Sequence, residues 1–163
     1  MLAVILFTGI RSYGQAAQFK AMYLYKFAKG VSWPSDAATN AEFTITIVGD
    51  NEMATALKKT MGSRKIGNRS VVILEAATVA QIKKSDVIFL GESKSDQIQK
   101  LMDSQKGNHV LIVAGKSGWC EHGASISFVN KNGALAYEVS AKNIQHFGLS
   151  CSQELIRSGI NVD

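Results

Sequence analysis

Two four-residue runs, Val87-Ile88-Phe89-Leu90 and Val110-Leu111-Ile112-Val113, are wholly apolar. A strand with one wet face alternates apolar and polar residues. Short uninterrupted runs belong instead to strands covered on both faces, as in parallel sheets flanked by helices. The segments around them supply those helices. Phe43-Thr44-Ile45-Thr46-Ile47-Val48 alternates and is β-branched, which specifies an earlier strand closed by Gly49-Asp50. Asn51 is placed to cap a helix over 52–61, with Met53, Ala54, Leu57 and Met61 inward.

The rest of the chain continues this alternation. Lys65-Ile66 and Val71-Val72-Ile73-Leu74 flank a Gly67-Asn68 turn. Thr78 opens a short helix to Lys83, and Ser93 caps a helix over 94–104 with Ile98, Leu101 and Met102 inward. Two later strands, at 126–129 and 134–137, surround Lys131-Asn132-Gly133, a hairpin turn with glycine where a positive φ is wanted. Ser140 caps a helix to Phe147, and a last helix covers 152–158. The expected fold is three-layer α/β: a largely parallel mixed sheet, helices on both faces, and a late antiparallel hairpin.

The amino-terminal part has a different character. Residues 2–10 are almost continuously apolar, too short for a mature membrane span but right for an export-signal core. Gly14-Gln15-Ala16 supplies small residues where a signal peptidase reads, so cleavage is expected after Ala16. Residues 1–16 are then the signal peptide, and 17–163 form one α/β domain in the periplasm. No later apolar run reaches the roughly 18 residues a membrane helix needs. An aromatic helix over 18–29 follows, with Phe19, Met22, Tyr23, Lys26 and Phe27 on one face. Gly30 ends it, and Pro34, the only proline, forces Trp33 out of the helical region.

Charge and motif content exclude several functions. The net charge of +5 is spread as Lys58-Lys59, Arg64-Lys65 and Lys83-Lys84 over separate elements. That is a solvated surface rather than a nucleic-acid stripe. No nucleophile elbow, phosphate loop or zinc-protease signature is present, and no acid-base-nucleophile set is specified, so no catalytic residue, and hence no enzyme, is expected. Cys120 with His122 is the only pair that suggests a thiol hydrolase, and no orienting carboxylate accompanies it. Cys120, His122, His146 and Cys151 are ligands zinc accepts, but their spacing fits no usual zinc site. No metal or other cofactor is expected.

Two kinds of binding site remain. Asp50-Asn51, Glu92-Ser93 and Lys116-Ser117 lie at the carboxyl ends of expected parallel strands, where open α/β sheets bind small ligands. Trp119 in the loop after the second apolar strand, with Leu155 and Ile156 on the last helix, are candidate anchors for a protein partner. An exported chain with two cysteines admits a Cys120–Cys151 bridge, with free thiols as the alternative. The bridge would enclose about 30 residues and stabilise by ~3.5 kcal/mol on the chain-entropy model.

Several segments, in this order, resemble the YfiR-like periplasmic proteins. They are the aromatic helix with Trp33-Pro34, Val48-Gly49-Asp50, residues 67–73 (GNRSVVI), Ser85-Asp86-Val87-Ile88-Phe89-Leu90, and the stretch from His109 to Val113 leading to Gly118-Trp119. Gly123-Ala124-Ser125-Ile126-Ser127-Phe128, Tyr137-Glu138-Val139 and Gly148-Leu149-Ser150-Cys151-Ser152 complete the set. The resemblance implies a periplasmic regulator whose partner is a membrane-bound sensor protein, such as a diguanylate cyclase of cyclic-di-GMP signalling or a sensor kinase, bound through its periplasmic domain. It also implies that Cys120 stands where some members carry a paired cysteine, with Ser127 at the place of its partner. A periplasmic small-molecule binder using the strand-end loops is the competing function. Homodimerisation stays open.

Overall fold

The computed structural model describes residues 12–163. The apolar run at 2–10, on which the export reading rests, lies outside them. Helix α1 covers Ser12–Gly30 and leads into β1 (Val31–Ser32). Then come β2 (Glu42–Val48), α2 (Asn51–Met61), β3 (Lys65–Ile66), β4 (Arg69–Ala76), β5 (Val87–Leu90), α3 (Ile98–Ser104) and β6 (Leu111–Ala114). The chain closes with β7 (Ile126–Lys131), β8 (Ala134–Val139), α4 (Ala141–His146), β9 (Ser150–Cys151), α5 (Gln153–Ser158) and β10 (Ile160–Asn161).

Eight strands form one sheet in the order β10-β8-β7-β6-β5-β2-β4-β3. Strands β4, β2, β5, β6 and β7 run parallel, and β7 and β8 form the antiparallel hairpin. Its turn places Asn132 at φ 53° and Gly133 at φ 81°, the two left-handed residues that a two-residue primed turn requires. From β2 the chain steps outward to β4, then returns across β2 to β5. This reversal is the switch point at which open sheets of this kind leave a crevice.

Both faces of the sheet are covered. Along β7, Phe128 stacks on Phe27 and Tyr23 of α1, with centroids 5.6 and 6.1 Å apart. Its neighbour Ser127 points the other way, and its Oγ lies 3.4 Å from the Cys120 Sγ in a short 3-10 turn after β6. All four residues of β5 and all four of β6 are buried, as their apolar runs require.

Helix α1 is rotated relative to expectation. Its buried stripe is Ala17, Ala21, Leu24, Phe27 and Ala28, while Phe19 and Met22 are 49 % and 51 % exposed. The alanines let the helix backbone approach the domain closely, and that approach turns the two larger side chains outward. Phe27 is fully buried between Tyr23, Phe128 and Tyr137. Trp33 stacks edge-on against Phe43 at 5.0 Å and closes that end of the core.

Local caps also differ in detail. Asp50, not Asn51, caps α2, accepting from the Met53 N–H at 2.9 Å. Ser93 caps nothing. Its hydroxyl donates to the Gly49 carbonyl, and the segment from Glu92 to Gln97 is a 3-10 turn ahead of a shorter α3. Ser140 caps α4 as expected, and Ser152, expected as the first residue of the last helix, is the cap of α5.

One polar feature inside the fold has no counterpart in the sequence reading. Arg69, at the start of β4, donates from both terminal nitrogens to the Asp86 carboxylate just before β5, each at 2.8 Å. Arg69 also donates to the carbonyls of Asn40 and Glu42, and Asp86 accepts from the Thr44 N–H at 2.8 Å. Every ionic atom of this buried pair therefore has a partner, the condition under which a buried ion pair is tolerated.

Candidate partner-docking surface

A groove of about 670 Å³ lies between α1, the end of α2 and α5. Its floor is Phe27 and Tyr137. Tyr137 donates its hydroxyl to the Leu155 carbonyl at 2.7 Å, which ties α5 to the hairpin. Burial raises the pKa of this phenol, so it stays protonated as a donor. The antiparallel pair Val31↔Cys151 and the bond from the Ser152 N–H to the Gly30 carbonyl hold the end of α1 against the start of α5.

The rim of the groove is aromatic and basic. The Lys26 ammonium lies 5.6 Å over the Tyr23 ring and the Lys29 ammonium 5.6 Å over the Tyr25 ring. The Arg64 guanidinium covers Tyr25 at 4.9 Å. These contacts hold long, flexible side chains in place at the cost of little polar desolvation. Glu154 is the only carboxylate in the lining, so the rim carries net positive charge. Met22 belongs to the lining, and Phe19 stands one turn away on the same exposed stripe of α1. No cluster of acid, base and nucleophile stands in the lining.

The strand-end loops are packed closely against one another. A side chain at Gly91 would meet the carbonyls of Val48 and Gly49, and one at Gly115 would meet the Glu92 N–H and the Leu90 carbonyl. The glycines at this edge therefore serve chain-to-chain packing. Lys94 lays its stem over Gly49. Asp50 and Asn51 border an open depression beside Glu75, Glu92 and Ser93 are exposed on their turn, and Lys116 and Ser117 are exposed on another. Asp50 is already engaged as the α2 cap.

The expected partner anchors are placed differently from one another. Leu155 is 6 % exposed and packs beneath α1, so it is a core residue rather than an anchor. Ile156 is half-buried against the core. Trp119 is also half-buried, packed on the core with its ring 4.8 Å from that of His122.

Of the two states the sequence admits for Cys120 and Cys151, the structure has both residues as free thiols. Cys120 is fixed against Ser127, while Cys151 is fixed in register with Val31 in the small sheet. Burial pushes the Cys120 thiol up to about 11. His109 is tied by its Nδ1 to the Phe147 carbonyl at 2.9 Å. Among the described residues no three metal-ligating side chains converge. No helix of the described residues is long and apolar enough to cross a membrane.

The sequence model of the YfiR/HmsC-like family matches residues 17–159. The chain belongs to the YfiR/HmsC-like family. Members of this family are regulatory proteins. The match takes in α1 from its first buried alanine, Ala17, through α5, and so covers every wall of the groove. A comparison with curated proteins finds no match.

Sequence reasoning placed Phe19, Met22, Tyr23, Lys26 and Phe27 on one face of α1, and so did not separate the exposed pair from the buried Phe27. The signal was present in Ala17, Ala21 and Ala28. Small residues at helical spacing mark the face that approaches another element most closely.

Proposed function

We propose that this chain is a periplasmic regulatory protein that docks on the periplasmic domain of a membrane signalling protein, a diguanylate cyclase or a sensor kinase. Docking uses the exposed stripe of α1 and the groove beside it. The observation that carries this reading is the half-exposed pair Phe19 and Met22 next to a preformed aromatic groove with a basic rim. Large apolar side chains left in water beside a polar rim are the anatomy of a protein interface. The protein acts by contact, holding its partner in one state.

Affinity capture from envelope extract tests it. The wild-type protein should retain a membrane protein with a cyclase or kinase output domain. The Phe19→Ser/Met22→Ser variant should lose that capture while keeping its melting temperature. Retention of the same protein by both would remove α1 from the interface, and retention of no signalling protein would overturn the function.

A further inference from the structure

Helix α1 carries three lysines and no carboxylate over its 19 residues. Two of them, Lys26 and Lys29, stand one turn apart and exposed at the rim of the groove. Arg64 reaches the same rim from the loop after α2. Its N–H donates to the Met61 carbonyl at 2.9 Å, and its carbonyl accepts from the Val71 N–H at 3.1 Å, so its backbone is fixed on both sides. The Arg64 guanidinium and the Lys29 ammonium share the ring of Tyr25, at 4.9 and 5.6 Å. A ring quadrupole attracts a cation but carries no net charge to neutralise one.

Elsewhere in the fold cations meet carboxylates: Lys58 with Glu75, Arg69 with Asp86, and Lys106 with Asp103. Among the described residues Lys26, Lys29 and Arg64 form no ion pair. Glu154, the acid in the lining, sits in the first turn of α5, where its charge suits the helix end. Three cations are thus gathered around an aromatic floor without a counter-charge of their own.

We propose that the groove receives an acidic segment of the partner's periplasmic domain, in which an aliphatic or aromatic side chain is flanked by carboxylates. This rests on the reading of the groove as the docking site and names what docks there. The apolar side chain covers the floor of Phe27 and Tyr137 beside Met22. The flanking carboxylates meet Lys26, Lys29 and the fork of Arg64, which suits a carboxylate bidentately. Complementary charge at a rim sets partner choice and speeds encounter. The concave shape favours a chain segment over lipid. A flat headgroup surface reaches the exposed stripe of α1 but not the floor between α1 and α5.

The test is fluorescence anisotropy of the purified protein with end-capped, labelled peptides, each with a central phenylalanine between paired glutamates, paired serines or paired lysines. The glutamate peptide should bind at least about tenfold more tightly than the serine one, and the lysine peptide more weakly than either. Added salt should weaken the glutamate peptide most. Lys26→Glu/Lys29→Glu should invert the order. If that variant fails to fold, Lys26→Gln/Lys29→Gln should remove the preference. Lys83→Glu/Lys84→Glu, the same charge change at exposed residues outside the groove, should bind like the wild type. Equal affinity for the three peptides, or none for any, overturns the proposal. Phosphatidylglycerol vesicles that displace the glutamate peptide, and whose own binding is lost in Phe19→Ser/Met22→Ser, would give the face to lipid and overturn it too. Failure of the docking site itself looks different. A sensor whose capture is lost in Phe19→Ser/Met22→Ser but untouched by Lys26→Glu/Lys29→Glu keeps the site and removes only the acidic occupant.

Discussion

Replacing Asp86 with alanine would remove the carboxylate that holds three strands together at the amino edge of the sheet. The side chains of Arg69 and Asp86 are 10 % and 11 % exposed, so water cannot readily replace what is lost. The guanidinium would keep its bonds to Asn40 and Glu42 but lose both ionic ones, and the Thr44 N–H would be left without an acceptor. Breaking one side of a buried pair costs about 3–5 kcal/mol. For a domain of this size that corresponds to a fall in Tm of about 6–20 °C. Denaturant midpoints and thermal melts would measure it in Asp86→Ala, Arg69→Met and the double variant Arg69→Met/Asp86→Leu. The double variant should recover at least half of the Asp86→Ala loss, because it leaves no unpaired charge behind. A loss below about 1 kcal/mol in Asp86→Ala, or a double variant as unstable as the sum of the singles, would refute the role given to the pair.

Phe27→Ala should cost about 3–5 kcal/mol in denaturant titration, since the ring is fully buried among three others and its loss leaves a cavity. A change under about 1 kcal/mol would mean that α1 does not pack on the hairpin. In the native protein Cys151 should react with a thiol reagent and Cys120 only on unfolding, because Cys120 is buried and Cys151 partly exposed. The Cys120 thiol titrates near 11 in the fold against 9.0 when free, so the unfolded chain ionises first. Stability should therefore fall as pH rises from 9 toward 11, by at most about 2–3 kcal/mol, and Cys120→Ala should flatten that part of the profile. An identical slope in the variant would assign the loss to other groups.

Local patterns made much of this fold legible. The apolar runs at β5 and β6, the alternation in β2, the Asn132-Gly133 turn and the serine cap of α4 each have a mechanism that acts within a few residues. What stayed hidden depends on contacts between distant segments. Strands β1, β9 and β10 are two residues long and carry no periodicity of their own; each exists because another segment lies beside it. Nothing local in the sequence tells that Arg69 and Asp86 are both buried. The rotation of α1 is a middle case, because its aromatic residues and its alanines specify different faces, and close approach decided for the alanines. The ligand-site expectation at Asp50, Asn51, Glu92, Ser93, Lys116 and Ser117 followed from topology alone, which gives no sign of how closely Gly91 and Gly115 pack against neighbouring backbone at that edge.

Regulation by contact through α1 is tested most directly by isothermal titration of the purified protein against the isolated periplasmic domain of the sensor recovered by capture. The account predicts saturable one-to-one binding per protomer, weakened at least about tenfold, or 1.4 kcal/mol, by Phe19→Ser/Met22→Ser in a protein that melts like the wild type. Equal affinity in the two proteins, or no binding by either, would contradict it.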